Sequence, residues 1–233
     1  MVKQAVILAA GEGRRLRPLT NEIPKPMVSV CGRPILEHTL SILPPAVNET
    51  IVVIGYRGEK IKQYFGSQFG RVKISYVRQD EPRGTGDALL AARPSLKKGN
   101  FLLLHADDLY HPEDLKDCAK EGPTVLVKET EEPERFGVCI IGPDGLLCDI
   151  LEKRKNPPTN LANIGVYTLN EEIFEIPSVK LGDEFVLASQ IGEWAKKRPV
   201  KIVKARFWHP IGYPDDLDLA EEYLKIPLKS RSN

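Results

Sequence analysis

The sequence predicts an α/β fold: a mixed, mostly parallel central sheet between two layers of helices. Two observations carry the expectation. Up to about residue 122, short aliphatic and β-branched runs alternate with segments of helical apolar spacing, the order of successive βαβ units. After residue 123 the texture changes to strands with few helices between them, so the sheet should be mixed rather than wholly parallel.

Taken in order, QAVILAA (4–10) reads as a strand buried on both faces, being apolar without alternation. Pro34 opens PILEHTLSIL, whose Ile35, Leu36, Leu40 and Leu43 fall at helical spacing until Pro44-Pro45 stop it. Strands follow at 50–56, 72–77 and 101–106. A short amphipathic helix lies at 58–66, and a helix begins near Thr85 as N-cap. In the second part PTVLVKE, FGVCIIGPDGLLCDILEK and ANIGVYTLN are strands, with GPDG (142–145) as a turn. An amphipathic helix is expected at 185–198, a last strand in VKIVKARF, and a helix at 214–225 opened by Pro214 and early aspartates. We expect one domain over 1–233, with a nucleotide-binding half at about 1–122 and a second-substrate half at about 123–233.

Composition excludes several classes. Charged residues make up 28% and the net charge is +1, so no global field favours nucleic acid or a membrane. The first 33 residues nevertheless hold Lys3, Arg14, Arg15, Arg17, Lys25 and Arg33 against Glu12 and Glu22, a local excess that suits a compact anion. Cys31, Cys118, Cys139 and Cys148 are scattered without C-x-x-C and read as reduced, mostly buried thiols. The Val6–Ala10 apolar run is too short for a signal peptide, and no stretch approaches the roughly 20 apolar residues of a membrane helix. A cytoplasmic protein is expected, and a homo-oligomer is allowed.

The opening stretch LAAGEGRRLRPLT (8–20) places a glycine loop after a buried strand, where backbone N–H groups can meet phosphate oxygens. It lacks the third glycine of the dinucleotide fingerprint, since Leu16 stands there, and it does not fit a Walker A loop. Two readings are left open: a loop that admits a triphosphate while arginines neutralise it, or a surface turn with solvated arginines. In NEIPKPM (21–27), Lys25 lies between Pro24 and Pro26, which should hold it on a stiff, extended segment.

L-A-A-G-x-G-x-R-L-R-P-L-T followed by P-K-P resembles the signature of the sugar-1-phosphate nucleotidyltransferases. The likeness continues through QDEPRGTGDAL (79–89), HADDLY (105–110), FGV (136–138), ILEK (150–153), ANIGVY (162–167) and WHPIGYPDDL (208–217). It implies a Rossmann-like three-layer αβα fold. It also implies attack of a sugar-1-phosphate oxygen on the α-phosphorus of a nucleoside triphosphate, with pyrophosphate leaving. By the same resemblance, Arg15 contacts the departing phosphates and Lys25 the α-phosphate. Gly11 and Gly13 give N–H groups and room. Leu8, Ala10, Gln79, Gly84 and Thr85 hold the base. Gly137, Glu152, Lys153 and Asn163 contact the sugar phosphate. Asp107 is matched to the Mg²⁺ aspartate. UTP or dTTP is expected because a glutamine amide suits an imide edge. Glucose-1-phosphate and N-acetylglucosamine-1-phosphate are the first candidate sugars.

Three departures matter. Ala106 replaces the usual glycine beside the aspartate, and Arg154 the proline after Glu-Lys. Pro210 occupies the family's late acidic position, so Mg²⁺ should rest on Asp107, phosphates and water. His105, Asp108 and His111 are expected to pack or lie at the surface rather than bind a transition metal. No C-terminal hexapeptide-repeat β-helix is expected. Two rivals remain: a nucleotide-sugar-binding regulatory subunit, and a transferase for a non-sugar phosphate such as choline or inositol phosphate.

Overall fold

The computed structural model describes residues 2–120 and 122–226, so the expected limits at 1 and 233 lie outside the described residues. The first half runs β1 (Gln4–Ala9), α1 (Ile35–Ser41), β2 (Glu49–Ile54), α2 (Gly58–Phe65), β3 (Val72–Arg78), α3 (Thr85–Ala92), β4 (Phe101–His105), β5 (Asp108–Tyr110) and α4 (Pro112–Lys120). The second half runs β6 (Thr124–Glu129), β7 (Gly137–Ile141), β8 (Leu147–Glu152), β9 (Leu161–Leu169), α5 (Leu187–Ala195), β10 (Lys201–Lys204), β11 (Trp208–Pro210) and α6 (Asp215–Lys225).

The main sheet has the order β8-β7-β9-β4-β1-β2-β3, with β6 also on β9 and β10 on β6. β1 is central and parallel to both β2 and β4. Its six residues are all buried, as the unbroken apolar run requires. The direction reverses where β9 pairs antiparallel with β4, Val166 facing Leu104. The sheet is therefore mixed, and the second half supplies its antiparallel part.

Alternate residues feed two cores. Ala5, Ile7 and Ala9 face one with Leu36 and Leu40 of α1, Ile61 of α2 and Leu115 of α4. Val6 and Leu8 face the other with Ala88 and Leu89 of α3 and Leu187, Ile191 and Trp194 of α5. This is the expected three-layer arrangement. A third cluster of Leu16, Val28, Val30, Ile35, Leu109, Ile211 and Ala220 lies outside the sheet and pins the opening loop against β5 and α6.

Four expectations are corrected. The 185–198 helix is shorter, spanning Leu187–Ala195. The last strand of the sheet stops at Lys204, and Trp208–Pro210 instead pairs with β5 in a separate ribbon. Thr85 is the first helical residue rather than the N-cap: Gly84 precedes it, and the Thr85 hydroxyl accepts from Leu187 N–H at 3.1 Å. Only two of the four thiols, Cys118 and Cys139, are buried; Cys31 and Cys148 are exposed.

Candidate active site

β1 and β4 end side by side, Leu8 opposite His105, and each feeds a loop at the carboxyl end of the parallel sheet. Ligands of open α/β sheets collect at such ends. There Lys25 Nζ reaches Asp107 Oδ2 at 2.8 Å across 82 residues of sequence. Lys25 is buried and Asp107 partly exposed. Lys25 is not extended as its flanking prolines suggested; Pro24 is (φ −71°, ψ 151°), and Lys25 begins a single 3₁₀ turn through Met27. Met27 N–H to Pro24 C=O at 2.8 Å and Val28 N–H to Lys25 C=O at 3.0 Å close the turn, and Pro26 fits because its missing N–H is not needed there.

Gly13 serves that lysine. Its φ is +66°, and a methyl group here would lie 2.7 Å from Lys25 Cβ, so glycine is required on both counts. Thr20 Oγ1 donates to Gly13 C=O at 2.8 Å and fixes the loop. Gly11 differs, having open space around it.

The three arginines have separate fates. Arg14 donates to Glu12 at 2.7 Å, and Arg17 pairs with the same carboxylate at 3.6 Å. Among the described residues Arg15 pairs with no carboxylate; its guanidinium lies 5.0 Å from the centre of the Tyr213 ring. Its charge is thus directed but not neutralised. Arg135 lies 5.6 Å from the same ring, bringing a cation of the second half to the first.

Desolvation works against ionising Asp107, but the charges of Lys25, His105 and Arg15 outweigh it and hold the carboxyl below its ordinary value. Asp108 behaves oppositely: burial and neighbouring Asp107 push it up to about 7. It accepts from Trp208 Nε1 at 2.9 Å and Ile211 N–H at 3.3 Å, so it holds the β5–β11 ribbon together. His105 is packed against Tyr167, and its burial lowers its basicity. His111 accepts from Glu113 N–H at the start of α4. The described residues contain no group of three or more His, Cys, Asp or Glu able to hold a metal.

That donor set suits a hard, oxygen-seeking ion rather than a soft one. Pro210 faces Asp108 across the ribbon and offers no ligand, and His209 Nε2 contacts Asp216 C=O at 2.7 Å. Among the described residues Asp107 Oδ1 has no hydrogen-bond or ion-pair partner, whereas both oxygens of Asp108 and Nε2 of His209 are engaged. One carboxylate completed by phosphate oxygens and water fits Mg²⁺ and not a soft transition metal.

Of the residues expected to hold the base, Gln79 follows β3 and is buried. Its N–H bonds Ile54 C=O at 2.8 Å, and its Nε2 donates to Gly84 C=O and Asp87 Oδ2, both at 3.0 Å. The carbonyls of Leu8 and Ala10 accept from Ala106 and Tyr56 N–H at 3.1 and 3.3 Å, which fixes the end of β1 between its neighbours. Gly84 has φ +97°, and a methyl there would come within 2.5 Å of Phe185 C=O.

The residues expected to contact the sugar phosphate lie on irregular backbone. Gly137 pairs with Glu152 across β7–β8, and a methyl on Gly137 would lie 2.6 Å from Glu152 Oε2. Lys153 has φ +43°, rare for a side-chain-bearing residue. Its N–H bonds Phe136 C=O at 3.3 Å. β9 shifts register between Asn163 and Tyr167, with Gly165 at φ +75° packed on His105. Asn163 Nδ2 donates to Tyr167 Oη at 2.6 Å, and its Oδ1 accepts from Gly165 N–H at 3.3 Å. Phe136 packs edge-on against Trp208 at 4.8 Å, and Trp208 holds Asp108, so these strands connect physically to the Lys25–Asp107 end.

Sequence reasoning missed Tyr213, Asp87 and Tyr167, which hold Arg15, Gln79 and Asn163. Only the helical spacing of Arg83 and Asp87, an i,i+4 ion pair at 3.0 Å, could have pointed to one of them.

The chain is 36% identical over 224 residues to the bifunctional protein GlmU of Methanocaldococcus jannaschii, covering 94% of this chain and 54% of that one. It thus spans about half the length of that relative. It is 34% identical to the UTP–glucose-1-phosphate uridylyltransferase AglF of Haloferax volcanii, covering 95% of this chain and 96% of that protein. A UDP-glucose pyrophosphorylase solved with UDP-glucose shares the fold at 24% identity, with a TM-score of 0.84 over 96% of this chain and 98% of its own. The model of the nucleotidyl transferase family matches residues 4–225, and the chain belongs to that family.

Proposed function

We propose that the chain transfers a nucleotidyl group from UTP or dTTP to a sugar 1-phosphate, with glucose-1-phosphate and N-acetylglucosamine-1-phosphate as the first candidates. The observation that carries the reading is the Lys25–Asp107 pair at 2.8 Å with an arginine nearby that makes no ion pair among the described residues. The likeness to a uridylyltransferase along its full length supports it.

In this reading the sugar phosphate oxygen attacks the α-phosphorus as the bond to the β-phosphate oxygen breaks. Catalysis is positioning and charge neutralisation, without a covalent enzyme intermediate. Lys25 holds the α-phosphate from its buried turn. Arg15 meets the charge that develops on departing pyrophosphate, which is where a fixed cation accelerates transfer. Asp107 would hold Mg²⁺ with phosphate oxygens and water, and the ion would add charge neutralisation. Glu152, Lys153 and Asn163 take the sugar hydroxyls and phosphate beside Gly137. Gln79 and the Gly84-Thr85 turn face the base.

The test is pyrophosphate release with each nucleoside triphosphate against a panel of hexose 1-phosphates, choline phosphate and inositol phosphate. Turnover with UTP or dTTP and a hexose 1-phosphate is expected. Nucleotide-sugar binding without turnover would instead identify a regulatory subunit, and turnover confined to choline or inositol phosphate would move the acceptor outside the sugars.

A further inference from the structure

The orientation of the Gln79 amide is fixed by chemistry. Its two neighbours, Gly84 C=O and Asp87 Oδ2, are both acceptors, so both must face the NH₂ group. An amide nitrogen has two hydrogens, and both are used. Gly84 C=O is itself anchored, accepting Ala88 N–H at 3.2 Å. Asp87 is anchored too: its other oxygen accepts from Arg83 Nη2 at 3.0 Å, and its side chain is only 12% exposed. A flipped amide would set its oxygen against a carboxylate and a carbonyl in a largely buried place, where such repulsion is costly. What remains available at Gln79 is Oε1, which accepts no hydrogen bond among the described residues.

Building on the nucleotidyltransferase reading above, we propose that Asp87 is a specificity-determining residue that locks Gln79 so that only a hydrogen-bond acceptor faces the base. The accepted bases are then those with a ring N–H at that edge: uracil, thymine and guanine. Cytosine and adenine present a ring lone pair there, which would meet the lone pairs of Oε1. Asp87 touches no substrate in this account. It positions Gln79, and Arg83 keeps Asp87 in place. The usual reading of a glutamine, as donor and acceptor together, does not apply because the donor half is consumed internally.

The test compares kcat/KM for UTP and CTP, which differ at this edge but not in size. Wild type should prefer UTP by about 100-fold or more, as sites that read a hydrogen bond do. In Asp87→Asn the new amide can donate to Gln79 and allow it to turn over, so the preference should fall by about 10-fold or more. A merely structural role for Asp87 would lower both nucleotides together and leave the ratio unchanged, which overturns the proposal. Gln79→Met checks it independently of Asp87: UTP should lose about 10-fold while CTP, no longer opposed by the Oε1 lone pairs, should gain, and equal losses for both refute the lock. Wild type active with a hexose 1-phosphate but indifferent between UTP and CTP sinks the lock alone. Wild type that releases pyrophosphate from no nucleotide sinks the transferase reading and the lock with it.

Discussion

Lys25 and Asp107 meet at the ends of two parallel strands with uninterrupted apolar sequence, whereas Lys153 and Asn163 reach their places through a left-handed residue and a register shift in antiparallel strands. At the proposed phosphate end, regular strands carry the loops, and Arg15 and Lys25 lie in one compact stretch while Asp107 arrives from the end of β4. At the proposed sugar end the backbone is irregular, with a left-handed residue and a register shift, so small changes there should alter fit rather than abolish the reaction. The contrast teaches where each kind of substitution will register: charge at the phosphate end, shape at the sugar end.

The largest expected effects test the phosphate end. Arg15→Ala should cut kcat by about 10²–10³, the usual loss when one group stabilising transition-state charge is removed. Its melting temperature should stay close to wild type, because the side chain is exposed. Asp107→Ala should remove Mg²⁺-dependent turnover to a similar degree, while His209→Ala, whose ring is tied to Asp216, keeps it. Mg²⁺ titration of both variants decides this, and full activity in Asp107→Ala would break the metal assignment.

At the sugar end, Gly137→Ala puts a methyl into the space of the Glu152 carboxylate. KM for the sugar phosphate should rise by about 10-fold with KM for the nucleotide unchanged. A shift in the nucleotide KM instead would erase the distinction between the two ends. A smaller effect is expected where the ends meet. Tyr213→Leu should lower kcat/KM by a factor of about 5, the worth of a cation–π contact of roughly 1 kcal/mol, and Tyr213→Phe should restore it.

The smallest effect is on stability and depends on pH. Burial raises the Glu152 carboxyl, Lys153 opposes the rise, and Glu184 adds to it. The folded protein therefore binds this proton more tightly than the unfolded chain, and ionisation at neutral pH costs stability. Glu152→Gln should melt slightly higher than wild type at neutral pH. The gap should close as pH falls below the ordinary carboxyl value of about 4.3. A gap that widens on acidification would mean the carboxylate is stabilised where it sits.

The same contrast explains what could be read in advance. β1, β2 and β4 were legible because parallel strands buried on both faces leave unbroken apolar runs, β3 because its apolar residues alternate, and Asp107 lies just past the end of β4. The 3₁₀ turn at Lys25 was not, because its hydrogen bonds compete with a local proline preference that alone favours extension. The roles of Tyr213, Asp87 and Tyr167 were hidden for a different reason: each acts by touching a residue brought near only by folding. The left-handed backbone at Lys153 was not legible, since positive φ at lysine is imposed by its surroundings rather than encoded by the residue.

The Gly84 turn has a consequence for anyone recombining this protein with its relatives. Phe185 N–H donates to Arg83 C=O at 2.7 Å, Leu187 N–H donates to the Thr85 hydroxyl, and Phe185 C=O occupies the space where a side chain on Gly84 would lie. Residues 83–86 and 184–187 are thus one interlocked part, although 98 positions separate Phe185 from Asp87 in the chain. A chimera that imports a new base-facing segment over 79–87 and keeps the native 184–187 will join two surfaces never selected together. Transplanting both segments at once should yield an exchangeable module, and a crossover point anywhere between them will cut through it.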